Sequence, residues 1–256
     1  MNSRTFTNPA GGLRYHLRAL RYSKTYWESY RWELGDWLLK WKPRETTLVL
    51  VGPSAGYCLQ PFLFERFERI ICLEPDPVAR YLFKRKLRKA PLERQPILEF
   101  ISEDHLVHAP ERFPKLLEST RDACILFSNV IGQLRVLLDV ENNDAPRFVR
   151  VREAVREGIQ GRSFASFHDR VSGYLRPSFD RAQVANSRLS DDEVLELLYG
   201  ESKPSRGRRS HELIDHLTDG FFPPELAHTY FNWEIEPGRV HLIEAVAFAR
   251  TSGADI

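Results

Sequence analysis

No apolar run in this 256-residue sequence approaches the roughly eighteen residues that cross a bilayer. The opening stretch MNSRTFTNPAGG also lacks the apolar centre of a secretory leader. Both absences predict a soluble, cytoplasmic protein with no membrane partner. Cysteine is scarce: Cys58, Cys72 and Cys124 show no CxxC spacing, and two of them lie in apolar, strand-like runs. That pattern supports neither a disulfide framework nor a cysteine-ligated zinc site, and predicts buried thiols in a reducing compartment. An excess of one charge is missing too. Thirty-seven Lys and Arg face 35 Asp and Glu, a net charge of +2, so composition gives no reason to expect a nucleic-acid partner.

What is present is enough apolar material, 42% of the residues, to bury the core of one α/β domain. Residues 1–44 are expected to form a helical extension, because Trp27, Tyr30, Leu34, Trp37, Leu38 and Trp41 recur at spacings of three and four. Such a stripe packs on a core or lids the site beside it. From residue 45 the pattern alternates. Strands are expected at 47–51, 69–73, 97–102, 123–130 and 162–170, with intervening helices at 57–67, 77–90, around 111–117 and at 145–158. Asp76 and Pro77 open the second of these helices as cap and first residue, and its Arg and Lys residues read as a solvated face. Residues 174–227 break the rhythm as a helical insertion, with a capping box at Ser190-Asp191-Asp192-Glu193 and a basic loop, KPSRGRR, at 203–209. Two β-rich runs around Pro237-Gly238 close the domain, residues 45–256, as an antiparallel hairpin.

The whole is organised around residues 45–76. There an apolar strand empties into Gly52-Pro53-Ser54-Ala55-Gly56, a helix-like segment follows, and a second strand ends in Glu74. In a βαβ unit this order turns backbone N–H groups and a strand-end carboxylate toward one ligand. Together with CLEPDP and the closing hairpin, it resembles the class I S-adenosylmethionine-dependent methyltransferases. The resemblance implies a doubly wound, mostly parallel, seven-stranded sheet with a terminal antiparallel hairpin, and S-adenosyl-L-methionine as cofactor. It assigns the cofactor to Gly52, Pro53, Ser54, Ala55, Gly56, Glu74 with Pro75, Asp104, His105 and Asn129, with Glu74 on the ribose hydroxyls and Asp104 and His105 beside the adenine. His168 and Asp169, expected to end the fifth strand, are candidate catalytic groups together with Asn129; His168 is either a general base for the acceptor or a backbone-bonding side chain. The fourth strand ends in SNVIGQL rather than an NPPY-like sequence, which tilts the acceptor toward a small molecule or a protein.

Two departures keep other readings open. Leu50 stands where the family usually carries an acid, and Ser54 where it carries its middle glycine, so a catalytically degenerate binding module is one alternative. The same five residues also spell GxSxG between strand and helix. Ser54 is then the nucleophile of a serine hydrolase, with Asp169 and His211, His216 or His228 as formal triad partners. Glu103-Asp104-His105 and His108 offer metal-ligand chemistry without a second cluster, so no metal is assigned. Neither the acceptor nor an oligomeric state is written in the sequence.

Overall fold

The structure, a computed structural model, describes residues 12–138, 140, 144–175, 177–200 and 213–250. The basic loop at 203–209 and His211 lie outside them. Two helices, α1 (Leu13–Tyr22) and α2 (Glu28–Lys40), precede the sheet. Strands β1 (Thr47–Val51), β2 (Arg69–Leu73), β3 (Ile97–Ile101), β4 (Ala123–Ser128) and β5 (Phe164–Tyr174) are parallel. Between them run α3 (Pro77–Lys89), α4 (Phe113–Glu118), α5 (Leu134–Leu137) and α6 (Ala145–Ile159). The insertion holds β6 (Gln183–Ala185), α7 (Asp191–Tyr199) and β7 (Leu213–Asp215), and the hairpin is β8 (His228–Glu236) with β9 (Arg239–Phe248).

The sheet order is β3-β2-β1-β4-β5-β9-β8-β6, with β7 also on β5. The last strand, β9, inserts antiparallel between β5 and β8. To the seven expected strands the insertion adds two short ones, so it is not purely helical. Two apolar layers cover the sheet because alternate residues of each strand face opposite ways. Leu48 and Leu50 of β1 join the layer beneath α1, α2 and α3, while Val49 and Val51 join the layer beneath α4 and α6. All three cysteines are buried and free. Among the described residues no helix is long and apolar enough to cross a membrane.

Two expected elements differ. Residues 57–67 do not form an α-helix: Gln60 is extended (φ −79°, ψ 135°) and only a short 3-10 turn, Pro61–Arg66, follows. Pro61 disfavours the helical conformation of the residue before it and has no N–H to donate. The carbonyls left open are taken by Lys86 from α3, whose ammonium donates to Gly56 O and, at 2.7 Å, to Leu59 O. Burial lowers the Lys86 pKa to about 8. The fifth strand, in turn, does not stop at residue 170. It runs through a bulge between Asp169 and Val171 to Tyr174, held by β9 along its length and by β7 at its far end.

The aromatic stripe packs on the hairpin. The Trp27 ring meets Trp233 edge-on at 5.0 Å and its indole N–H donates to Ile235 O at 2.9 Å; Tyr30 stacks on Trp233 at 5.1 Å. Trp41 donates to Phe248 O at 3.1 Å. Trp27 is fully buried, so Trp27→Ala should cost about 3–5 kcal/mol in urea unfolding, with loss of the near-ultraviolet signal of the α1–α2 layer.

Candidate functional site

Strand order reverses at β1, whose neighbours are β2 on one side and β4 on the other. Their connections leave in opposite directions, and a crevice opens at the carboxyl ends, the usual ligand position in such sheets. A cavity lies there, lined by the Gly52-Pro53-Ser54 turn, Glu74-Pro75-Asp76, residues 103–107, Ser128-Asn129-Val130, Gln133 and Leu137, with Gly12, Tyr15, Cys58 and Phe167 completing its walls.

Glu74 is the most constrained group in it. The side chain is buried, and its two oxygens accept from Ser54 N at 2.8 Å and Asp76 N at 3.0 Å. Ser54 reaches it through a left-handed backbone, φ 49°, between Gly52 at 64° and Gly56 at 68°. That conformation costs a non-glycine residue about 1–2 kcal/mol. Glycine is required at 52, where a Cβ would lie 2.9 Å from Val130. Burial pushes the Glu74 carboxyl up to about 7 in spite of the two N–H donors. Arg80 bonds the carbonyls of Glu74 and Pro75 at 3.0 and 3.3 Å, so two residues of the α3 basic run, Arg80 and Lys86, brace the site's backbone while Lys84, Arg85, Arg88 and Lys89 stay exposed.

The other expected residues are distributed unevenly. Pro53, Pro75, Asp104, His105 and Asn129 line the cavity, whereas Ala55 and Gly56 are buried beside the turn without lining it. Asp104 Oδ1 caps its own turn by accepting from Val107 N at 2.8 Å, and His105 pairs with Glu103 at 3.1 Å. Asn129, at φ 56°, spends its side chain on Asp169, accepting from Asp169 N at 2.9 Å and donating to Oδ2 at 3.4 Å. Burial alone would raise the Asp169 carboxyl, but His241 and His216 outweigh it and hold it below the usual range.

His168 is not where the sequence suggested. Because β5 continues, it is interior to the strand, and alternation turns it to the face opposite Phe167 and Asp169. It is 1% exposed, bonded to Ser166 Oγ at 3.0 Å, stacked on Phe222 at 5.5 Å and 3.8 Å from Glu244. Burial lowers its pKa. So enclosed, it cannot serve an acceptor in the cavity. Nor is a hydrolase triad assembled among the described residues: His216 bonds Gly132 O and Ser172, and His228 pairs with Glu244 at 2.8 Å. No α-helix starts behind Ser54 either, since bends at residues 57–59 and the extended Gln60 lead only into the 3-10 turn at Pro61.

Residues that were not singled out complete the site. Tyr15 comes from α1, and its neighbour His16 bridges Tyr57 Oη at 3.0 Å and Asp76 at 3.4 Å, fastening α1 over the glycine turn. Tyr15 approaches Cys58 Sγ at 3.8 Å. Gln133 donates to Asp169 Oδ2 at 2.8 Å. The spacing Tyr15, Ala19, Tyr22 marks the inner face of α1 and was the signal available for the first pair.

No protein-family model matches the sequence, and neither does any curated protein. Solved structures do resemble it. The methyltransferase domain of bacterial CtHen1-C is 10% identical at a TM-score of 0.39, over 88% of this chain and 100% of that one. The glycopeptide N-methyltransferase MtfA, complexed with S-adenosylmethionine, is 13% identical at 0.38, over 85% and 92%. For an S-adenosylmethionine-dependent methyltransferase from Anabaena variabilis the values are 16% and 0.38, and the match spans 64% of this chain and 60% of that one. Five parallel strands, with an antiparallel last strand set between the fifth and its hairpin partner, give the mostly parallel α/β sheet with an antiparallel edge that was expected from the sequence. What the cavity does rests on its own geometry.

Glu74 gives that geometry a measurable signature. Its folded pKa stands above the unfolded value, so its contribution to stability is full below the unfolded pKa and is lost as pH rises through about 7. Between pH 5 and pH 8, wild-type stability measured in urea should fall by about 2–3 kcal/mol relative to Glu74→Gln, which cannot ionise.

Proposed function

We propose that the cavity binds S-adenosyl-L-methionine and that the protein is a methyltransferase for a small-molecule or protein acceptor. The observation that carries this reading is the buried Glu74 carboxylate in the wall of the crevice, fixed by two backbone N–H groups so that its orientation does not depend on solvent. A carboxylate there suits a pair of vicinal hydroxyls, as a ribose presents them. Residues 103–107, with Leu106 and Val107 apolar, suit a flat base, and the Gly52-Pro53-Ser54 turn with Tyr15 and Asn129 leaves the opposite end for the amino-acid part. When bound, the cofactor supplies an electrophilic methyl group on a sulfonium.

The chain's own contribution is positioning. Glu74 and the glycine turn orient the ligand, α1 covers it through Tyr15, and Asn129 with Gln133 borders the remaining space, held rigid by Asp169. Alignment of this kind supplies most of the acceleration available to an in-line displacement. Leu50, where an acid is usual, is fully buried in the core and offers the ligand nothing. The ligand's amino group therefore has to be met by other atoms of the turn.

Calorimetric titration with S-adenosylmethionine and S-adenosylhomocysteine tests the reading. Micromolar binding by the wild type should weaken about 10- to 100-fold in Glu74→Gln, with circular dichroism confirming that the variant folds. Absence of binding to either ligand overturns the proposal. Binding without transfer to any acceptor in a tritiated-methyl screen would leave the binding-module alternative.

A further inference from the structure

Behind the cavity wall three side chains from three separate elements converge: Asp169 of β5, His216 just past β7, and His241 of β9. We propose that they form a binding site for one divalent transition-metal ion of the zinc class. All three are buried, at 0%, 6% and 6% exposure, and each offers a ligand atom within 4.8 Å of the other two.

The second observation is an unmet demand for partners. Asp169 Oδ1 and His241 Nδ1 form a buried ion-pair contact at 2.9 Å that lacks hydrogen-bond geometry, and His241 Nε2 has no hydrogen bond at all. Buried polar atoms rarely remain so, because each forfeits its hydration without recompense. A carboxylate oxygen and an imidazole nitrogen held this close without hydrogen-bond geometry are placed to share an ion between them.

The surroundings are those of a ligand set. His216 Nδ1 lies 2.6 Å from Gly132 O and so carries the proton, which leaves a lone pair on Nε2, where the Ser172 hydroxyl sits at 2.9 Å and an ion can displace it. Metal-bound histidines commonly donate their other N–H to a backbone carbonyl in this way. Asp169 Oδ2 is taken by Gln133 and Asn129, so Oδ1 is the oxygen free for an ion. Gly132 itself must be glycine: a Cβ there would fall 2.6 Å from Asp169 N, and that close backbone approach brings its carbonyl to His216.

Two imidazoles and one carboxylate favour zinc, cobalt, nickel or iron(II) over magnesium or calcium, which prefer oxygen throughout. Three protein ligands also leave a coordination position open. The site is read independently of methyl transfer, since nothing in it depends on the cofactor. Its link to the cavity is mechanical, through Gln133 and Asn129.

The experiment uses the full chain, stripped with a chelator and titrated with Co2+ as a spectroscopic probe, then with Zn2+ in competition. One equivalent of Co2+ should bind with a ligand-field band in the visible, displaced by Zn2+, and Zn2+ should raise the melting temperature. Affinity should fall at least about 100-fold in His241→Gln and in Asp169→Asn, the latter nearly isosteric, and be unchanged in His105→Gln at the cavity rim. X-ray absorption of the wild-type complex should show imidazole scattering, a readout that needs no variant to fold. No saturable binding of either ion by the wild type overturns the proposal, as does binding that survives both His241→Gln and Asp169→Asn or is lost in His105→Gln.

Discussion

One buried carboxylate joins the two loops on which the crevice depends. Glu74 holds the amide of Ser54 with one oxygen and that of Asp76 with the other, so the turn after β1 and the start of α3 cannot move apart without breaking a bond to a buried carboxyl group. The left-handed backbone at Ser54 is tolerable because that bond returns some of its cost. Asp76, drawn in by its own amide, is then placed to cap α3 through Val78 N and to meet His16 of α1. A chain of polar contacts thus runs from the sheet edge to the covering helix.

The contact of β5, β8 and β9 is organised by a second carboxylate. Glu244 of β9 has no exposure and is met by His228 at 2.8 Å and Arg188 at 2.9 Å, with His168 and Arg170 at 3.8 Å. Burial would raise its pKa, but these cationic and imidazole neighbours more than reverse it. Arg188 belongs to the insertion, so the insertion is tied to the sheet by charge as well as by the small apolar cluster of Val194, Leu198 and Tyr230.

Much of this was legible in the sequence because it follows from period and punctuation. Strands β1 to β4 are short apolar runs bounded by turn residues, and Asp76-Pro77 and Ser190 with Glu193 announce their helices. The segment after the glycine turn was misread as helix because its apolar residues have helical spacing, whereas Pro61 decides the backbone. His168 was misplaced for a different reason. The end of a strand is set by its partners, and β5 continues past Arg170 because β9 and β7 are there to pair with it, which no local pattern announces. The meeting of Asp169, His216 and His241 is likewise tertiary: the sequence suggested other chemistry for Asp169 and His216 and none for His241, because only the fold brings the three together.

The packing of α1 and α2 on the closing hairpin has a consequence in time. Trp27 and the Ile235 carbonyl it binds are 208 residues apart in the chain, and Trp41 and Phe248 are 207 apart. On a ribosome the two amphipathic helices emerge well before the strands that cover their aromatic face, and β5 waits equally for β9. During that interval Trp27, Tyr30 and Trp37 are an apolar surface without a partner, a natural ligand for holding chaperones. The contact that completes the fold is thus among the last to form, and the nascent protein passes through synthesis with its stickiest face already made.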